Sequence, residues 1–437
     1  MLLEVVSSVL MGGVLAGTYA YQLGAGGNDT KNICRIAENA GLVARDGTKI
    51  RIHRRKQTKG YSEYVYQMPQ GLSSKQFQDN IDRFQDGLNT KKKILDVSIT
   101  DIKSIDWKSD VMAQVRNLFT EKIKLRKEVT IDFDGMLIFR VYKTPLPDVV
   151  PFDNSLFDKC TGWNIPLGVS RFKFEVHDFE DGHLIISGST RYGKSVFLKN
   201  IITSLIHRKP NEVTFHLIDL KGGLTFSRFA NARQVKTVAT NVDETLESLK
   251  VLLTDIEQKQ ADFLRNGWED VREARIKDRT FIVVDEAAQL ASAGITDAAE
   301  KKKRIECETI LAKIAQVGAG LGYRLIFCTQ YPTADTLPRQ IKQNVDSRLC
   351  FRLQTTKASE VVLDSPGAEK LPKIRGRGIY QTPDGKKIVQ TPFIQNDFIE
   401  RTIAPHIIIK PRKDELHAQD DSEGTKAIRN SLIVSKA

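Results

Sequence analysis

The stretch HLIISGSTRYGKSVFLKNIITSLI, residues 183–206, decides the fold. Its first residues, His183 to Ser187, form a short apolar run suited to a buried strand, and from Val196 to Ile206 apolar residues recur at helical spacing. Between them lies Gly-Ser-Thr-Arg-Tyr-Gly-Lys-Ser, the G-x-x-x-x-G-K-S spacing of a phosphate-binding loop. A strand, a glycine turn and a helix N-terminus aim successive backbone N–H groups at one point, where the helix dipole adds positive potential. The expected cradle is Gly188, Ser189, Thr190, Arg191, Tyr192, Gly193, Lys194, Ser195 and Val196. Lys194 is placed to reach the β- and γ-phosphates of ATP, and the Ser195 hydroxyl to hold Mg²⁺. A turn that merely joins a strand to a helix has no need of the Lys-Ser pair.

Such a loop needs a partner that completes the metal site and activates water. TFIVVDEAAQL, residues 280–290, supplies it: four apolar residues, Phe281 to Val284, end in Asp285 and Glu286. Ligands in open α/β sheets sit at the carboxyl ends of strands. Asp285 is therefore the expected Mg²⁺ anchor, and Glu286 the base or orienter for the attacking water. Read alone, an acidic pair also caps a following helix. A third strand end, LIFCTQYP, carries Thr329 and Gln330, and an amide there can sense the γ-phosphate.

Further strand candidates are VTFHLIDL, VKTVAT, YRLIFCTQ and RLCFRLQ, and they alternate with helical stretches. That alternation predicts an α/β fold with a parallel, doubly wound sheet over residues 152–404. Ahead of it, residues 61–146 read as a smaller α+β domain, with EYVYQMP and MLIFRVYK as strands and SSKQFQDNIDRFQDGLN as a helix. TPLPDVVP, residues 144–151, reads as a proline-stiffened linker, residues 24–60 as a basic linker, and residues 405–437 as a flexible charged tail.

The chain has 437 residues and a formal net charge of +12, which favours an acidic partner such as nucleic acid or an anionic membrane. Five cysteines without C-x-x-C spacing argue against a disulfide framework or a structural zinc site. Residues 5–21, VVSSVLMGGVLAGTYAY, carry no charge and reach the lower length limit of a membrane span. The dense run KIRIHRRK follows. Residues 1–23 are thus expected as a single anchor in the cell membrane, with the rest of the chain on the cytoplasmic side, and a buried or interfacial N-terminal helix is the alternative at this length.

At this point a resemblance emerges. HLIISGSTRYGKSVFLKNIITSLI, FHLIDLKGG, FIVVDEAAQL, RLIFCTQYPTADTL and SPGAEKL stand in the order found in the FtsK/SpoIIIE family of DNA-translocating ATPases, across residues 160–395. The resemblance implies a RecA-like P-loop NTPase domain that assembles as a homohexamer around duplex DNA. It also implies catalytic roles for Lys194, Glu286 and the sensor Gln330, and matches Asp219 and Lys221 to the family's Asp-x-Lys. Family members usually carry an arginine before the sensor strand, where this chain has Ala319. Arg348, which matches a family arginine, is the first candidate for an arginine acting across subunits, and Arg352 the second.

One anchor and a compact front domain resemble the FtsK-like coupling proteins of conjugative plasmids and integrative elements, with a relaxase and secretion-channel proteins as implied partners. Chromosome or plasmid segregation, and protein secretion by FtsK-like ATPases, are the alternatives. No sequence-reading winged-helix module is expected after Pro405. Lys301, Lys302, Lys303 and Arg304 are the first candidates for DNA phosphates, and Arg375 and Arg377 the next.

Overall fold

The computed structural model describes residues 29–58, 60–89, 127–142 and 144–408, in two compact units divided after Pro145. In the first unit, α1 (Asp29–Asn39), β1 (Arg51–Gln57), β2 (Tyr61–Gln67), α2 (Ser74–Asp79), α3 (Ile81–Asn89), β3 (Glu128–Phe133) and β4 (Leu137–Tyr142) follow in order. The strands form an antiparallel sheet in the order β1-β2-β4-β3. Ile33 and Ala37 from α1, Phe77 from α2, and Phe84 and Leu88 from α3 pack with Tyr64, Tyr66, Leu137 and Phe139 of the sheet. A buried ion pair, Lys127 Nζ to Asp29 Oδ2 at 2.7 Å, ties the start of α1 to the residue before β3.

Two expectations change here. Residues 29–57, read as part of a basic linker, hold a helix and a strand of this domain. Every residue of β1 is exposed, so its sequence lacks the apolar alternation that marks a strand, and pairing with β2 alone makes it one. The single helix expected over SSKQFQDNIDRFQDGLN is two, α2 and α3, broken at Asn80. The anchor expected over 1–23 lies outside the described residues, among which no helix is long and apolar enough to cross a membrane. Most of the expected tail also lies outside them, after Ile407 forms a bridge to Ala232.

The second unit begins with β5 (Val150–Pro151), α4 (Ser155–Asp158), β6 (Asn164–Ser170) and β7 (Phe174–Asp178). It continues through β8 (Leu184–Ser187), α5 (Lys194–Arg208), β9 (Val213–Ile218), β10 (Val235–Ala239), α6 (Val242–Asn266), β11 (Arg279–Val284) and α7 (Ala298–Val317). It ends with β12 (Tyr323–Thr329), α8 (Arg339–Gln343), β13 (Ser347–Phe351), α9 (Thr356–Leu363), β14 (Arg377–Thr382), β15 (Gly385–Gln390), β16 (Pro392–Phe393) and α10 (Asn396–Ile403).

Ten strands form one sheet, β10-β9-β11-β12-β8-β13-β14-β15-β6-β7. The first six are the strands read from the sequence and run parallel. Successive residues serve opposite faces: Leu184, Ile186, Phe281 and Val283 pack with α5, while Ile185, Ile282 and Val284 pack with α6 and α7. Burial on both faces explains their unbroken apolar runs. From β13 onward the pairing is antiparallel, so the sheet is mixed rather than wholly parallel. The expected linker is partly built in, because β5 pairs with β16 and the Phe152 N–H donates to the Phe393 carbonyl at 3.0 Å.

Candidate active site

β8 ends in Ser187, and the loop that follows is held from both neighbouring strands. The Gly188 N–H donates to the Thr329 carbonyl at 3.3 Å, and the Ser189 N–H to the Arg352 carbonyl at 3.0 Å. Arg191 takes φ 72° and Gly193 φ 121°, which turns the chain into the first residue of α5, Lys194. The left-handed φ favours glycine at Gly193, and a Cβ there would also fall 3.1 Å from the Gly376 backbone, a tight contact. The loop opens on a cavity of about 860 Å³. Ser189, Lys194 and Ser195 line one side, and Asp148, Val149, Ile374, Arg375, Thr391 and Phe393 line the other.

Lys194, only 4% exposed, lies 2.8 Å from Asp285 Oδ1 and 3.5 Å from Glu286 Oε2. Burial works against its charge, but nearby Cys328, Asp285 and Glu286 outweigh burial and raise its pKa. Burial pushes the Cys328 thiol itself far up and keeps it neutral, so the two carboxylates account for the effect. Asp285 uses its other oxygen to accept from the Thr225 hydroxyl at 2.9 Å. Glu286 accepts from the Gln330 N–H at 3.0 Å and the Thr329 hydroxyl at 3.2 Å on Oε1, and from Lys221 at 3.0 Å on Oε2. The Gln330 side-chain oxygen accepts from the Thr190 hydroxyl at 2.9 Å. One network thus joins the phosphate loop, both acids and the sensor strand.

The donor set suits a phosphate-bound magnesium. Among the described residues no three His, Cys, Asp or Glu side chains cluster to cage a metal ion. One hydroxyl (Ser195) and one carboxylate (Asp285) beside a phosphate cradle are what an ion held largely by its nucleotide requires.

The arginines and lysines divide differently from expectation. Arg348 is spent within its own chain: it donates to the Val362 carbonyl at 3.0 Å and the Lys342 carbonyl at 3.2 Å, and pairs with Asp364 at 2.5 Å. Arg352 donates to the Leu371 carbonyl beside a second hollow lined by Ser189, Thr190 and Tyr192. Arg375 faces the nucleotide-sized cavity. Arg377 is 1% exposed and donates to Gln390 and to the Leu146 and Pro147 carbonyls, so the expectation that it contacts DNA is corrected. In α7, Lys301 and Lys302 are exposed, whereas Lys303 pairs with Asp243 and Arg304 with Glu300.

Sequence reasoning missed Thr225, and it missed the wall made by residues 148–149, 374–376 and 390–393. No local pattern announces either, because each reaches the site through tertiary pairing.

The model of the FtsK/SpoIIIE family matches residues 164–382, half of the chain. The chain belongs to the FtsK/SpoIIIE family. Among curated members it is 30% identical over 242 residues to DNA translocase FtsK of Bacillus cereus, covering 51% of this chain and 29% of that protein. It is 28% identical over 273 residues to DNA translocase SpoIIIE of Bacillus subtilis, covering 57% of this chain and 33% of that protein. The chain therefore spans about a third of the length of these FtsK/SpoIIIE relatives. Among solved structures, the pCW3 conjugation coupling protein TcpA, in its monomer form with ATPγS, shares the fold at 20% identity. The TM-score is 0.59 over 86% of this chain and 99% of TcpA.

Proposed function

We propose that the chain is an ATP-driven DNA translocase, a homohexameric ring anchored in the cell membrane that serves as a coupling protein in conjugative DNA transfer. The observation that carries the reading is the network of Lys194, Asp285 and Glu286 at the mouth of the phosphate loop. It provides a cation for the phosphates, a carboxylate for Mg²⁺ and a second carboxylate for water, within one hydrogen-bonded set. With nucleotide bound, Lys194 would exchange Asp285 for the β- and γ-phosphates, and Asp285 and Ser195 would be the residues that hold Mg²⁺. Glu286 would take the proton of the water as its oxygen bonds the γ-phosphorus and ADP leaves, and Gln330, paired with Thr190 of the phosphate loop, would be the sensor.

DNA as the cargo is supported by the names of the curated relatives and by the net charge of +12. The coupling role is supported by the likeness to TcpA, which reaches beyond the second unit of this chain. The deciding experiment measures ATP turnover of the full chain with and without duplex DNA of unrelated sequences. Stimulation by every duplex is expected. Turnover indifferent to DNA would remove the translocase reading and leave a nucleotide-binding assembly platform.

A further inference from the structure

The segment 219–225, Asp-Leu-Lys-Gly-Gly-Leu-Thr, is the part of the site whose work is not explained by binding nucleotide. Asp219 closes β9 and is fully buried. Its Oδ2 accepts from the Thr225 N–H at 2.7 Å, its Oδ1 from the Lys221 N–H at 3.2 Å, and its carbonyl from the Gly223 N–H at 3.2 Å. Gly222 and Gly223 take φ 83° and 76°, two left-handed residues in succession that reverse the chain over the Asp219 carboxylate. The turn delivers two side chains to the two acids next door: Lys221 to Glu286 at 3.0 Å and the Thr225 hydroxyl to Asp285 at 2.9 Å.

We propose that this loop is a positioning clamp for both acids, in which Lys221 holds the Glu286 carboxylate in its aimed orientation once nucleotide is bound. The inference rests on the nucleotide-hydrolysing reading above. Glu286 is 4% exposed, and among the described residues the cations within ion-pair distance are Lys194 and Lys221. Phosphates draw Lys194 away. With Lys194 gone, Lys221 remains the partner of Oε2 while the Thr329 hydroxyl and Gln330 N–H hold Oε1, and these contacts together fix the rotation of the carboxylate. Lys221 stays because its backbone is pinned by Asp219, not by the nucleotide. It is a positioning residue, acting on the reaction through Glu286, and Thr225 does the same for the orientation of Asp285.

The test compares wild type, Lys221→Met, Lys221→Arg and Glu286→Gln in the full chain, reading kcat and KM for ATP together with equilibrium ATP affinity. Lys221→Met is expected to lower kcat by about tenfold to a hundredfold, part of what a general base supplies, with ATP affinity within about twofold of wild type. Lys221→Arg keeps the charge and recovers much of the loss. Adding Lys221→Met to Glu286→Gln changes neither ATP affinity nor the residual rate, because the residue it acts through is already gone. An unchanged kcat in Lys221→Met, or an ATP affinity that falls in step with kcat, overturns the clamp. A kcat loss seen equally without DNA, in a protein that DNA does not stimulate, upholds the clamp and removes only the translocase reading. Wild-type protein with no turnover under any condition overturns both.

Discussion

Lys194 rests on the Asp285 and Glu286 carboxylates, which in the reaction proposed above it leaves for the phosphates. Lys194→Ala removes the charge that faces the phosphates, so ATP affinity falls and turnover is lost. Glu286→Gln leaves the cradle intact and loses only the acceptor for water, so ATP is bound and held. Equilibrium binding and turnover, measured on both variants, distinguish the two roles. Arg348 invites a different measurement. Its side chain satisfies the Val362 and Lys342 carbonyls, so Arg348→Ala should destabilise the second unit by about 1–3 kcal/mol in denaturant unfolding. A full-strength fold with collapsed turnover would instead restore its role across subunits. Three buried histidines set the response to acid. Burial holds His177 down to about 3, and His183 and His216 to about 4. His183 accepts from the Leu325 N–H on Nδ1 and faces the Ala315 carbonyl with Nε2, an arrangement that fits the neutral ring. Each stays uncharged when folded while the unfolded chain binds a proton below about pH 6.5. Their stabilising contribution is therefore complete above that pH and is lost as pH falls toward the folded values, by roughly 1.4 kcal/mol per pH unit for each. Urea midpoints should drop steeply between pH 7 and pH 5. The phosphate loop, Asp285, Glu286 and Gln330 were legible in the sequence because their spacing and strand-end placement are local. Thr225 was not, since its contact with Asp285 spans sixty residues of chain.

At the scale of elements, helix α7 shows how a charge run divides once it is wound. Lys301 and Lys302 face solvent, while Lys303 and Arg304 are tied to Asp243 and Glu300. If α7 touches DNA phosphates, Lys301→Ala/Lys302→Ala should flatten the slope of log affinity against log salt by about two units, and adding Lys303→Ala should change it little. A salt series of DNA binding checks this, and an unchanged slope for the pair returns the run to a solvated face. The central strands β11 and β12 could be read directly, because burial on both faces writes four apolar residues in a row, Phe281–Val284 and Leu325–Cys328, whereas β9 and β10 carry interrupted runs. The antiparallel β14, β15, β6 and β7 have weaker signals. β15 is exposed over Gly385, Lys386, Lys387 and Ile388, and β6 carries an irregularity between Pro166 and Gly168. At Gly168 a Cβ would fall 2.1 Å from the Gln390 carbonyl oxygen. Gly168→Ala is accordingly expected to disrupt the join of β6 to β15 and lower the melting temperature.

Across the whole chain, each unit closes its own apolar core, one around Tyr66, Phe84 and Phe139, the other on the two faces of the long sheet. A fragment of residues 146–408 should therefore fold and bind ATP by itself. One that begins at Phe152 should bind about tenfold or more weakly, because it lacks Asp148 and Val149. Isothermal titration of both fragments checks the difference, and equal affinities would show that this wall is idle. The division into two units was partly legible, since the prolines of residues 144–151 mark a change of pattern. That the same residues wall the cavity was not, because their partners, Arg377 and Pro392–Phe393, lie more than two hundred residues further on. This stretch has a mechanical consequence. Tension entering the second unit through Pro145 is borne first by the bonds from Arg377 to the Leu146 and Pro147 carbonyls. The two-residue pairing of Val150–Pro151 with Pro392–Phe393 takes it next. Between those two anchor points lie Asp148, itself 3.6 Å from the Arg377 guanidinium, and Val149, so a pull at Pro145 strains the cavity wall before it reaches the sheet. In the translocase proposed above, load applied through Pro145 is therefore expected to weaken nucleotide binding by pulling on the wall that Asp148 and Val149 form.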